Sequence, residues 1–588
     1  MKKTLVPVWL YYGAFFITFT APNLVFSGER WFDTLHIMKW FVAMAPIGVI
    51  SVVAGINLFR FGFEKTGFTI DPFAFMWFFL VFLIISQPVF IHLSSSSTFA
   101  KEWFFFATLF AVYILAYNLR PGGGFLRALL WGSSINAAVN VVFAELMIRN
   151  ITTGMPFIMN VPGNYIGNTG QQEMMGLWVA MAVLNGLFLH VHYICEWRAK
   201  KSSRFLLPAN IVVFLVNTVG LWRTTSRGAI LGLVLSCAVM FVCFLRSRNV
   251  KATAHLLYMF LIAVLFLGVI LAINPFDSTN RGGTLVQKML DMVKNPGTFG
   301  DRIAIWRVSN EIFLKNPIAG VGLGHYKWHF LEGQRDMFEK YPALAGNPNY
   351  KWQFTYWAHS EYLQWLCETG IIGAVILGLM ALWWLHRFLY EIVIKRKEAP
   401  PEAVWGCAMI FMLFFDALFS RPFHRIENAV WMSLAFALAN RSILPDVGKW
   451  MAQENKMVYR AFGALFSFVA ICGLIFLGGG MRGDKLMLGA LITTPPEAKL
   501  ELLDRAEWYL MSREEAREMK AELDIIKGLQ MKNPDSYLSG VAQFYEVFKA
   551  RPNSERLYKL FDYAMSLDSA ELVEELAPYM PQESVRLR

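Results

Sequence analysis

Along this chain long apolar runs alternate with short polar stretches, and a run of roughly 17–25 residues has the length of a helix that crosses a bilayer. About thirteen such runs occur, near residues 7–26, 38–56, 72–93, 103–118, 127–147, 173–194, 206–222, 228–245, 254–273, 370–386, 403–419, 427–440 and 461–480. They predict an all-α fold, a polytopic membrane helix bundle of about 12–13 spans. The first run is too long and too weakly flanked by small residues to read as a cleaved signal. Lys2 and Lys3 then fit an uncleaved start with the N-terminus in the cytoplasm.

Charge distribution tests this count independently, because cytoplasmic loops carry an excess of Lys and Arg. With the N-terminus inside, the inner loops hold Arg60 and Lys65; Arg120 and Arg127; Arg198, Lys200, Lys201 and Arg204; Arg246, Arg248 and Lys251; Arg387, Lys395, Arg396 and Lys397; and Arg441, Lys449, Lys456 and Arg460. The alternate loops hold isolated cations: Arg30, Lys101, Arg149, Arg223 with Arg227, and Arg421 with Arg425. The alternation holds over the whole chain.

Two segments depart from the short-loop pattern. Residues 275–358 form a long polar insertion on the outer side, rich in Gly, Pro, Asn and aromatics, and loops of that length usually have a function. Residues 481–588 have ordinary charge density and helical patterning, as in Glu497–Leu510, Arg513–Leu529 and Ser536–Ala550. An odd number of spans places this tail outside. Its "ARPNSERLYKLFDYAMSLDSAELVEEL" reads as a helical hairpin with Pro552 near a helix start. The hairpin is similar to tetratricopeptide units, with too few clear repeats for an array. The expected organisation is a membrane core over 1–445 containing the 275–358 loop, a final span with its cytoplasmic flank over 446–480, and a small outer helical domain over 481–588.

Composition agrees. Of 588 residues 56% are hydrophobic and only 16% charged, against roughly 25% charged in a soluble domain, and mean hydropathy is +0.42. That excludes a cytosolic enzyme, a disordered chain and a collagen. The net charge of +11 would suggest nucleic acid in a soluble protein. Here the cations lie in short clusters between apolar runs and report orientation instead, so no nucleic-acid partner is expected. Cys195, Cys237, Cys243, Cys367, Cys407 and Cys472 lie mostly in or beside apolar runs without CxxC spacing. Neither a disulfide framework nor a metal site follows, and no cofactor is implied.

Isolated charges at the outer ends of spans are the informative residues, because such charges are costly near a bilayer. In "LWRTTSRGAILG", Arg223 and Arg227 lie in a tight outer turn with Thr224, Thr225 and Ser226 between them. Two forked guanidiniums suit a diphosphate, and the same pair also suits snorkelling to lipid headgroups. In "GDRIAIWRVSNEIFLKNPIAGVGLGHY", Asp301 is placed to cap a helix carrying Arg302 and Trp306 on one face. That helix should stop at Asn316-Pro317, and Gly320, Gly322 and Gly324 then permit close backbone approach. In "YWAHSEYLQWLCETGIIGAVILG", His359 stands where the long loop re-enters the membrane, ahead of Glu361, Gln364 and Glu368. An imidazole there is suited to take a proton from a hydroxyl at neutral pH. His325, His329 and His424 compete with it, and spacing does not choose among the four.

"RTTSRGA", then a long outer loop with "DRIAIWRVSNEIFLKNPIAGVGLGHY", then "AHSEYLQWLCETGIIGA", in that order, resembles the O-antigen ligase and polymerase superfamily, which includes bacterial protein O-oligosaccharyltransferases. The resemblance is strongest over 220–380 and extends by topology to roughly residues 1–445. It implies a multi-pass glycosyltransferase of the bacterial inner membrane, independent of metal, whose donor is a glycan on undecaprenyl diphosphate at the periplasmic face. By that resemblance Arg223, Arg227 and Arg302 bind the diphosphate, and His359 activates or orients the acceptor hydroxyl for in-line attack with inversion. Glu361 would orient His359. Family members often carry Asn beside the histidine, where this chain has Ser360-Glu361. The loop "GNYIGNTGQQEMMG" is similar to a family segment reading Gly-Asn-x-Asn, with Gln171, Gln172 and Glu173 where Asn is common. Asn168 and Gln171 are candidate glycan or acceptor contacts, and Arg421, His424 and Arg425 in "SRPFHRIE" lie on the same outer side, placed to extend the anionic-donor site.

The motifs leave the acceptor open among lipid A–core in a ligase, a second lipid-linked glycan in a polymerase, and Ser or Thr in a protein oligosaccharyltransferase. The outer tail weighs toward a large acceptor or a protein partner, and the ligase reading is placed first. A transporter for a lipid-linked glycan is the alternative from another class. It would leave the 275–358 loop without a task, and no inverted repeat is visible. A scaffold that recruits partners through its tail is the third.

Overall fold

A computed structural model describes residues 5–120, 122–152, 154–196, 201–246, 250–273, 297–345, 355–444 and 456–580. Lys2, Lys3, Arg198, Lys200, Arg248, Lys449 and the loop stretches 275–296 and 346–354 lie outside the described residues. Among those described the regular structure is helical, without a strand. The principal helices are α1 (Val8–Thr20), α2 (Ile37–Thr66), α3 (Pro72–Ile85), α4 (Ser96–Leu119), α5 (Gly123–Ile148), α6 (Gln172–Glu196), α7 (Lys201–Thr224), α8 (Arg227–Arg246), α9 (Val250–Ile273), α10 (Gly297–Lys315), α11 (Tyr326–Lys340), α12 (Glu361–Phe388), α13 (Pro401–Asp416), α14 (Ile426–Ile443), α15 (Lys456–Ile492) and five tail helices, α16 (Pro496–Glu507), α17 (Arg513–Met531), α18 (Pro534–Ala550), α19 (Ser554–Ser566) and α20 (Ala570–Leu576).

Each predicted apolar run falls on a helix. Nine among the described residues, α2, α4 to α9, α12 and α15, are long and apolar enough to cross a membrane unaided. The protein is therefore an all-α polytopic membrane protein. Two expected spans are shorter than predicted. α1 ends at Thr20 and α3 at Ile85, close to Pro22 and Pro88, because a proline has no N–H to donate to the preceding turn and its ring crowds that turn's carbonyl. α13 and α14 are also short, and α14 is enclosed along almost its whole length. α6 is apolar all round, and its most hydrophobic stretch is wholly buried, which marks it as a central helix.

The long loop folds into two packed helices. α10 begins at Gly297, so Asp301 lies inside it rather than at its cap. Val308, Ile312, Tyr326 and Phe330 of α10 and α11 share a small core with Cys367 of α12. As expected, α10 stops before Asn316-Pro317, and Gly320, Gly322 and Gly324 all take positive φ (74°, 100° and 76°). The reason lies on α12, which is broken at Gly370 (φ 63°, ψ −168°). There Ile371 N–H donates to Pro317 O (2.8 Å), and Val321 N–H to Cys367 O (2.9 Å). A Cβ at either Gly320 or Gly370 would overlap the opposing backbone.

α15 has 37 residues, about 55 Å of helix against roughly 30 Å of hydrocarbon. Its last turns bring the tail to the same face as the long loop, called here the loop face. The tail is helical at the three predicted stretches, and the predicted hairpin appears as α19 and α20, with the Asn553 side chain capping α19. The tail is not free-standing: Leu331 of α11 is buried in its core.

Candidate active site

The start of α6 is a hub. Three consecutive side chains there reach three separate segments, each carrying a cation. Gln171 Oε1 accepts from Arg421 Nη2 (2.5 Å). Gln172 Nε2 donates to Thr224 O (2.7 Å) and Thr225 Oγ1 (3.2 Å), in the turn between Arg223 and Arg227. Glu173 Oε1 accepts from Arg302 Nη2 (2.8 Å), its charge placed where a helix N-terminus favours an anion. The α7–α8 turn can come this close because α6 has Gly176 there; a Cβ would overlap Ser226. Thr225 takes φ +50° to close the turn.

The two arginines of that turn differ. Arg223 points inward with its side chain 2% exposed. Its Nε and Nη2 donate to Glu145 (2.8 and 3.3 Å), and its guanidinium lies 5.1 Å from the Tyr165 ring. The headgroup reading does not apply to it, and its fork is already filled by a carboxylate. Arg227 is half-buried at the first residue of α8, held by no carboxylate among the described residues. Next to it, a Cβ on Gly228 would lie 2.9 Å from Asp416 Oδ1. Asp416 is buried, and its Oδ2 has no hydrogen-bond partner among the described residues.

Of the four histidines, the structure singles out His359. It is half-buried with φ +49°, a conformation that costs a non-glycine residue about 1–3 kcal/mol and gathers at functional sites. Its Nδ1 is buried without a partner among the described residues. Burial holds its pKa below the ordinary value, with Arg421 and Arg302 pushing the same way against Glu173. The ring is therefore a neutral base at pH 7. His325 is a satisfied core residue: Nε2 accepts from Ser95 N–H (3.1 Å), Nδ1 lies 3.0 Å from Leu323 O, and burial pulls its pKa to about 4. His329 stands on α11 beside Glu332, 3.7 Å away.

His424 is half-buried and charged. Burial lowers its pKa, but the Glu361 carboxylate, 2.7 Å from Nδ1, outweighs this and holds it at about 9. Glu361 therefore does not orient His359. One oxygen faces His424, and the other accepts from Phe423 N–H (2.7 Å) and His424 N–H (3.2 Å). Its task is to fix the 421–425 turn. That turn presents Arg421 over the Trp357 ring (4.5 Å), with Trp357 edge-on to His424. Burial, reinforced by Arg425, lowers the Arg421 pKa to about 9, and its Nε has no partner among the described residues. Arg425 Nη1 lies 2.9 Å from His36 Nε2.

Asn168 faces inward. It is fully buried, with Oδ1 accepting from Met159 N–H (2.9 Å) and Nδ2 donating to Phe157 O (3.0 Å), so it pins a loop and presents no polar atom to a glycan. Gln171 is exposed at the hub. Glu173, visible in the sequence only as a departure from Gly-Asn-x-Asn, gains a role here as the partner of Arg302; the sequence reading assigns no role to Glu145, Trp357 and Asp416, nor to the buried Lys39, 3.8 Å from Glu427. A signal existed for the last pair, since charges inside apolar runs nearly always find each other.

No curated protein matches the chain. The family model described as O-Antigen ligase (Wzy_C) matches residues 211–378, the stretch that carries Arg223, Arg227, Arg302 and His359, and this match supports the resemblance to the O-antigen ligase superfamily.

Proposed function

We propose that the chain moves a glycan from undecaprenyl diphosphate to an acceptor hydroxyl at the periplasmic membrane face, as an O-antigen ligase-like enzyme acting with inversion and without a metal. The observation that carries this reading is the convergence of Arg302, Arg421 and the turn bearing Arg227 on three adjacent residues at the start of α6, with His359 within electrostatic reach of Glu173, Arg302 and Arg421. Arg227 and Arg302 take the diphosphate, Arg421 and Arg425 extend the cationic wall, and Arg223 stiffens the turn from behind. Guanidiniums so placed neutralise charge as it builds on the leaving diphosphate, the largest barrier-lowering effect open to such a site. Neutral His359 accepts the proton of the acceptor hydroxyl. The oxygen attacks the anomeric carbon from the face opposite the diphosphate, the bond to the phosphate oxygen breaks, and configuration inverts. An apolar cavity of about 120 Å³ lined by Trp77, Phe106, Trp365 and Phe436 reaches Glu361 and His424 and suits part of a polyprenyl chain.

The test uses purified protein in liposomes with an undecaprenyl-diphosphate glycan. Lipid A–core, a second lipid-linked glycan and a Ser/Thr-rich periplasmic protein are offered separately, each to wild type and His359→Ala. Product on lipid A–core, lost in the variant, is the expected result. Product on another acceptor reassigns the enzyme within the superfamily. No product on any, or full activity in the variant, overturns the mechanism.

A further inference from the structure

A second cavity, this one polar and of about 320 Å³, opens on the loop face where the segment before α2 meets the start of α4, the end of α15 and the tail. Its size is that of a small-molecule site. Resting on the transferase reading above, we propose that this cavity binds the acceptor as an uncharged, hydroxyl-rich sugar ring, and that the tail is present to complete it.

Its place comes first. His36 lines the cavity and its Nε2 touches Arg425 Nη1 (2.9 Å), so one imidazole separates the cavity from the cationic wall. Transfer requires the acceptor hydroxyl to be held beside the diphosphate-bearing carbon, and this cavity adjoins that wall.

Its charge comes second. Asp33, Asp484 and Glu515 line it against Lys101. Partial burial holds His36 below its ordinary pKa despite Asp33, with Arg425 and Lys101 acting the same way, so the ring is neutral at pH 7. The Asp33 carboxyl is itself held below the usual range; the hydrogen bond and charge of His36 outweigh burial. The lining is net negative, opposite in sign to the arginine wall. It repels a phosphate and offers acceptors to hydroxyls. One acceptor is vacant: Glu515 Oε2 is buried without a partner among the described residues, although Oε1 binds Arg551 (2.7 Å). Buried polar atoms are rarely left so.

Its construction comes third. Glu515 and Ser512 belong to the tail, and Asp484 to the rising end of α15. Asp484 accepts from Phe32 N–H and Asp33 N–H (both 2.8 Å), and Glu514 accepts from Ser97 Oγ (2.9 Å). The tail thus grips both core segments that form the opposite wall, and the cavity is incomplete without it.

The experiment measures initial rates in liposomes at fixed donor. The acceptors are lipid-free lipopolysaccharide core oligosaccharide stripped of phosphate and the same oligosaccharide with its phosphates retained. Wild type should use the stripped acceptor at a KM at least about fivefold lower. Glu515→Gln and Lys101→Gln should each raise that KM about tenfold while the donor KM moves less than twofold, and Glu515→Asp should restore most of the loss. Glu515→Lys should reverse the preference between the two acceptors, which a merely structural role would not do. Equal KM values in wild type and variants, or transfer to protein alone with neither oligosaccharide competing, overturn the cavity's assignment and leave the transferase reading standing. Wild type that turns over no donor with any acceptor removes both.

Discussion

Replacing Glu361 by Gln tests the electrostatics of the 421–425 turn. Glu361 raises the pKa of His424 from an ordinary 6.5 to about 9 against the pull of burial, a difference worth about 3 kcal/mol. For a group whose folded pKa lies above its unfolded value, the protonated folded form is favoured. That stability is fully present below pH 6.5, declines between 6.5 and 9, and is gone above. The buried Cys243, Cys367 and Cys407 provide the assay, since a thiol-reactive dye reports their exposure on heating. Wild type should lose thermal stability progressively from pH 6.5 to 9. Glu361→Gln removes the main opposing charge, so burial dominates, the ring stays neutral at pH 7, and the decline should flatten. At pH 6 the variant should unfold at a lower temperature, because the favourable pairing of the imidazolium with Glu361 is gone and folding must instead strip a proton from the ring. Parallel pH profiles for the two proteins would refute the assignment of charge to His424.

His359→Ala should reduce transfer about 10²–10⁴-fold, the usual contribution of a general base. In wild type, the acid limb of the pH–rate profile should fall below pH 6.5, since the pKa of His359 is lowered; a limb above pH 7 would count against it. Gly370→Ala places a Cβ against the Ile318 carbonyl at a backbone φ of 63° and should cost more than about 3 kcal/mol, read as a lower unfolding temperature and loss of transfer. Arg302→Lys keeps the charge but loses the fork, and should raise the donor KM about tenfold with the acceptor KM little changed. Transfer should survive a chelator, and activity that vanished and returned with a divalent ion would remove the metal-free mechanism.

Much was determined by the sequence alone. Apolar run length placed all thirteen spanning or buried helices, because hydrophobic length is a property of the local chain. Pro22 and Pro88 stop two of them early, for want of a backbone N–H. The tail helices were readable from spacing and caps, and Gly320, Gly322 and Gly324 from the conformational freedom only glycine has. The motifs named Arg223, Arg227, Arg302 and His359, but residue type and spacing do not tell a satisfied histidine from an unsatisfied one. The tertiary structure decided that. It gave His325 two partners, gave His424 the carboxylate of Glu361, and left a nitrogen of His359 without a partner among the described residues. It also turned Arg223 and Asn168 inward and brought Glu515 opposite Asp33, nearly five hundred positions away in the chain. Pairing partners, burial and the sign of a cavity are set by which segments pack together, and a run of residues does not carry that information.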